Sequence, residues 1–201
     1  MEEITLPIDV FVELIQNEKY HYLINRITVL EPDIILSLVK KCPFVIKYLN
    51  DLQHDVYVEA VSQNGLLIEF APDKTTDICM VAVKQNGMAL KFINTEQTLE
   101  ICLEAVKQNG NALEFVNEQT EQLCSIAIER SPESFRHVKD KTLELCVLAV
   151  EKDCMNLEYA DIQTEDMCIK ALKRNISVVK FIKETTESIR EIGKELGVEM
   201  P

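Results

Sequence analysis

The residues with most chemistry to offer are seven cysteines, five of which keep a fixed register. Cys79, Cys102, Cys124, Cys146 and Cys168 follow one another at intervals of 23, 22, 22 and 22 residues. Such a ladder invites a metal or redox reading. Zinc, however, needs ligands that converge within a few ångströms, commonly from close C-x-x-C pairs. The chain has no C-x-x-C, and thiols one repeat apart cannot reach a single ion. Nor should neighbours form disulfides, because stacked helices sit roughly 9–10 Å apart and a disulfide spans at most about 7 Å between Cα atoms. The opening MEEITLPIDV has no basic segment leading into an apolar core, so no secretory signal is expected. The cysteines are therefore expected to be reduced, intracellular thiols serving as small buried side chains.

The other reactive residues are dispersed. His21, His54 and His137 belong to no motif, and the many Asp and Glu sit mostly where helices begin or where surfaces face water. No P-loop, dinucleotide fingerprint, G-x-S-x-G or H-E-x-x-H occurs. The expectation is a non-enzymatic chain with no catalytic residues, no cofactor and no metal. An enzyme of unknown class is kept only as a residual alternative.

The period behind the cysteines points to the elements that carry them. Thr98–Val116 reads TLEICLEAVKQNGNALEFV; Thr75–Ile93 nearly repeats it, and Thr120–Val138 does so more loosely. Thr75, Thr98, Thr120, Thr142 and Thr164 open the units, with acids in the following turn. A hydroxyl followed by acids marks a helix start, since oxygen accepts orphan N–H groups and negative charge suits the dipole. Ile101, Cys102, Ala105 and Val106 then recur at helical spacing. Alanine is the most regular position (Ala60, Ala82, Ala105, Ala127, Ala149, Ala171), as close approach of neighbouring helices requires. Asn109–Gly110, matched by Asn64–Gly65, Asn86–Gly87 and Ser131–Pro132, ends the first helix. The Ser-Pro-Glu copy, with Ser at N-cap and Pro at N1, indicates that a second short helix begins there. An aromatic place follows: Tyr48, Phe70, Phe92, Phe115, His137, Tyr159 and Phe181.

This predicts an all-α chain, an α-solenoid of about seven ~22-residue helix–short-helix repeats with capping helices at both ends. The expected divisions are residues 1–30 for an N-terminal capping region, with Val10, Phe11, Leu14 and Ile15 on one helix face. The repeat array occupies 31–183, and a C-terminal helix over Thr185–Leu196 with its tail occupies 184–201. A leucine-rich repeat shares the period, but Gly110 lies where its first leucine belongs. Hydrophobic content of 47 % suffices for a continuous core, and no apolar run is long enough for a membrane span. A net charge of −13 argues against nucleic acid and anionic membranes as partners.

Variation between copies concentrates at the end of the longer helix. One position reads Gln63, Gln85, Gln108, Arg130, Lys152, Arg174, and its neighbour Ser62, Lys84, Lys107, Glu129, Glu151, Lys173. This predicts a polar-to-basic strip. Lys84, Gln85, Lys107, Gln108, Arg130, Lys152, Lys173 and Arg174 are its candidate residues for docking another protein. An ordinary solvated face is the alternative.

The unit T-x-E-x-C-x-x-A-V-x-x-N-G-x-A-L-x-F-V resembles an uncharacterised family of short helical repeats, a domain of unknown function. The match is closest over Thr75–Val116 and recognisable over residues 51–182. That family is abundant in giant DNA viruses of amoebae and occurs in some protists and intracellular bacteria. The resemblance implies a solenoid and a viral or protist setting, and it transfers no site residues. Leu6–Pro7–Ile8–Asp9–Val10 faintly resembles the opening of an F-box, which would imply a substrate adaptor for ubiquitin ligation; the later tryptophan of that module is missing. The favoured expectation is a protein–protein scaffold, monomeric or a weak homodimer, in the cytoplasm (the host's, if the setting is viral).

Overall fold

A computed structural model describes residues 9–10, 12–13, 31–94 and 97–199. The regular elements of the described residues are all helical, with no strand among them. Helices and 3-10 helices alternate. The α-helices are α1 (Pro32–Lys41), α2 (His54–Gln63), α3 (Thr76–Gln85), α4 (Leu99–Gln108), α5 (Glu121–Arg130), α6 (Leu143–Lys152), α7 (Glu165–Arg174) and α8 (Glu187–Glu195). The first seven are each followed by a 3-10 helix: η1 (Pro43–Lys47), η2 (Gly65–Phe70), η3 (Gly87–Phe92), η4 (Gly110–Phe115), η5 (Pro132–His137), η6 (Cys154–Glu158) and η7 (Ile176–Phe181). The seven pairs are the expected repeats, and the second, short helix of each is the tighter 3-10 form. The chain divides into two compact units, residues 1–101 and 102–201. Of the expected N-terminal helix, most residues lie outside those described, as do Leu6–Ile8 of the F-box-like head. Asp9–Val10 and Val12–Glu13 are helical, and the Asp9 carboxylate meets Lys41 Nζ at 2.7 Å.

The helices α4 to α8 each start on a threonine that caps them. The Oγ1 atoms of Thr98, Thr120, Thr142, Thr164 and Thr186 accept the amide three residues on, at 3.2–3.4 Å. Such a cap is worth about 1 kcal/mol. Thr75 departs from the pattern, because its hydroxyl donates to the Asp77 carboxylate instead. The C-terminal helix starts later than expected, Thr186 rather than Thr185 being its cap.

The helix ends explain the Asn-Gly pairs. Asn64, Asn86, Asn109, Asp153 and Asn175 adopt extended backbone, stopping the α-helix. Their Oδ1 atoms then accept the amide two residues later, at 2.9–3.1 Å, and open the 3-10 helix. Ser131 does not do this: its hydroxyl makes no cap bond, and the fixed φ of Pro132 opens η5 instead. Ser131 holds the N-cap position with Pro132 after it, as the sequence predicts, but without a side-chain bond. Gly65 and Gly110 meet a different need. A Cβ on Gly65 would collide with the Ala82 carbonyl oxygen, and one on Gly110 with that of Ala127 and with Ser131. The next helix comes that close.

The core follows from the i, i+1, i+4, i+5 rhythm of each helix. Leu123, Cys124, Ala127 and Ile128 of α5 are buried, as are Leu145, Cys146, Ala149 and Val150 of α6, and Met167, Cys168, Ala171 and Leu172 of α7. An apolar face this broad is buried against both neighbours. In the 3-10 helices, residues three apart eclipse. The second and fifth positions therefore share a face, and in every copy the fifth position is exposed.

Loop side chains stitch the repeats of residues 102–201 together. Gln119 Nε2 donates to the Leu113 and His137 carbonyls, and its Oε1 accepts the Lys139 amide. Lys139 Nζ returns to the Val116 and Asn117 carbonyls at 3.1 and 3.0 Å. Two repeats on, Gln163 and Lys183 make the same set, with Lys183 Nζ on the Ala160 and Asp161 carbonyls. Carbonyls left over where 3-10 helices end are satisfied by these donors.

Candidate docking surface

The cysteine ladder is packing with a weak donor attached. Cys79, Cys102, Cys124, Cys146 and Cys168 are all buried. Cys79 and Cys146 donate to the main-chain carbonyls of Lys74 and Lys141, and Cys124 and Cys168 to the Oε1 atoms of Gln119 and Gln163, at 3.5–3.8 Å. Burial pushes the Cys102 and Cys168 thiols up. It does the same to Cys124, with help from Glu121 and Asp140, to about 11. Thiols held protonated are poor nucleophiles and poor ligands. Among the described residues no three His, Cys, Asp or Glu converge as a metal site.

His54 and His137 are bracing groups, and His21 lies outside the described residues. His54 Nε2 lies 2.8 Å from Asp77 Oδ2, both side chains being open to water at the starts of α2 and α3. Bonds from Thr75 and His54 lower the Asp77 carboxyl to about 2. His137 occupies the half-buried aromatic place, as its register predicts. Arg136 Nε donates to its Nε2 at 2.9 Å, with Glu114 Oε2 3.9 Å away. Burial lowers its pKa, Glu114 opposing and Arg136 assisting.

The predicted strip residues fall on the last turn of α3, in the first unit, and on the last turns of α4 to α7, in the second. Lys84, Gln85, Lys107, Gln108, Arg130, Lys152, Lys173 and Arg174 are all exposed. They are not equivalent. Gln85 Nε2 donates to the Gln63 carbonyl at 3.1 Å while its Oε1 accepts the Gly65 amide at 2.7 Å. Gln63 reaches the Val39 carbonyl in the same way. Arg174 Nη1 donates to the Val150 and Glu151 carbonyls at 3.3 and 2.6 Å. These side chains satisfy the orphan carbonyls at the end of the preceding helix. Part of the strip is therefore mortar between repeats. The side chains of Arg130, Lys152 and Lys173 make no hydrogen bond or ion pair among the described residues.

Beside Lys173 and Arg174 the helices α6 and α7 leave a groove of about 310 Å³. Val147, Val150, Met167 and Ala171 line it, with Glu151, Asp166, Lys170 and Lys173 at its rim. Lys170 is turned onto Asp166 at 2.7 Å and Arg174, which also lines the groove, onto two α6 carbonyls, which leaves Lys173 as the cation there whose side chain has no partner among the described residues. Sequence reasoning missed this groove, since it depends on how far apart two helices stand. It missed the outward 3-10 face as well, although the signal was there: the fifth positions read Lys47, Glu69, Lys91, Glu114, Arg136, Glu158, Lys180, alternating in sign without exception.

Among the described residues no helix is long and apolar enough to cross a membrane. No curated protein and no solved structure matches the chain. One family does, described as "Domain of unknown function (DUF4116)", at residues 32–74, 54–97 and 98–143. The matched segments run over more than half of the sequence, and their length of about two repeats agrees with the helix–3-10 pairs seen here; the chain belongs to the DUF4116 family.

Proposed function

We propose that this chain is a non-enzymatic scaffold that holds a protein partner against the ends of its longer helices. The reading places it in the cytoplasm, of the host if the setting is viral. It needs no cofactor, and neither nucleic acid nor membrane is its target. The observation that carries it is the groove between α6 and α7, an apolar cleft opening beside the unpaired Lys173. An apolar side chain of a partner would fill the cleft, and an acidic neighbour would meet the cation. A buried anchor with a charged rim is how most interface energy is distributed. Rigid display on a stack of repeats suits such a role.

The test is affinity capture from the native cell with the full chain, followed by mass spectrometry and reconstitution with the purified partner. Lys152→Glu with Lys173→Glu should weaken the reconstituted complex about tenfold or more while leaving the thermal melt in place. Unchanged affinity would remove the strip from the proposal. Arg174 is left out of the variant because its bonds to α6 make it a stability residue.

A further inference from the structure

The 3-10 helices of residues 102–201 stack in order, η4 on η5, η5 on η6 and η6 on η7. Their exposed fifth positions form a column at one-repeat intervals: Glu114, Arg136, Glu158, Lys180. No ion pair joins any two of the four among the described residues, although Glu114 and Arg136 both approach His137 and Lys180 lies over the Phe181 ring; all four side chains stay exposed and open to a second copy.

A column ordered minus, plus, minus, plus is complementary to itself. Turned by half a revolution about an axis between its second and third members, it sets Glu114 opposite Lys180 of a second copy. The same turn sets Arg136 opposite Glu158. Each contact occurs twice, as a two-fold interface requires. The four charges also sum to zero in a chain of net charge −13, whose surface elsewhere tends to repel a second copy. Next to the column, Tyr159 is 40 % exposed, which supplies aromatic area that the rotation brings toward His137 of the copy.

We propose that the chain self-associates through this face, as an antiparallel two-fold dimer. The proposal is independent of the docking strip, whose residues lie on the α-helix ends.

Sedimentation equilibrium of the full chain at low and high salt tests it. The expected result is a dimer whose Kd rises with salt. Arg136→Glu creates two like-charge contacts and should raise Kd about tenfold. The decisive variant combines Arg136→Glu with Glu158→Arg. Its column reads minus, minus, plus, plus, which no longer alternates within one chain yet still matches itself under the same rotation. Dimerisation should return to within about threefold of the original, since every intermolecular pair is again opposite in sign. If the double variant stays as weak as the single one, the alternation serves the single chain and the proposal fails. A wild-type chain that is monomeric at about 100 μM would overturn it equally.

Discussion

Gly110 shows how closely a single residue is bound to its repeat. A methyl group there would press on the carbonyl of Ala127, a backbone atom that cannot turn aside. Gly110→Ala should therefore cost about 2 kcal/mol, read as a lowered melting temperature. Ser134 presents the opposite opportunity. It is fully buried with its hydroxyl unpartnered, at a place that other repeats fill with Ala89 and Ala112. Ser134→Ala should stabilise by about 1 kcal/mol in chemical denaturation, and a loss would mean that the hydroxyl has a partner. His137 carries the pH dependence. Its folded pKa lies below the ordinary value of 6.5, so the unfolded chain binds the proton more readily. Its contribution is present above that value and is lost as pH falls through the depressed one. Between about pH 7 and 5, His137→Tyr, which borrows the residue of the next repeat, should flatten the decline of melting temperature with acid.

At the scale of elements, the alternation of a longer and a short helix was legible because both starts are written in side chains, whereas the 3-10 form of the short one was not. Thr marks one and Asn or Asp the other, and the buried Ala and Cys positions follow at fixed distances from them. The work of the strip residues was not legible. Gln85 and Arg174 bond to main-chain carbonyls, groups every residue possesses, so no spacing in the sequence betrays the partner. The same blindness hid Lys139 and Lys183. Within α7 this difference is measurable. Arg174→Glu should remove two charge-assisted bonds to α6 and lower stability by about 1–2 kcal/mol, whereas Lys173→Glu should change it by less than about 0.5. Equal effects in urea titrations would mean that the two positions share one role. The groove was beyond reach of sequence for another reason: its size is a gap between packed surfaces, and composition records only the surfaces.

At the largest scale, stability within residues 102–201 is summed along the chain, because the stitching bonds run to the neighbouring repeat rather than across a common centre. The Gln119–Lys139 clasp recurs at Gln163–Lys183, skipping the repeat between. Thr142 on Glu121 recurs in the same stride as Thr186 on Glu165. Residues 102–201 thus have a reading frame of two repeats. Removing residues 120–163 keeps the frame: Lys183 arrives where Lys139 stood, and Glu114 is followed by Lys180. Removing only 120–141 breaks it, placing Asp161 in the lysine's seat and Glu158 beside Glu114. The larger deletion should melt at the higher temperature, the reverse of what length alone dictates. A stack built as residues 102–201 are lengthens or shortens without penalty only by even steps.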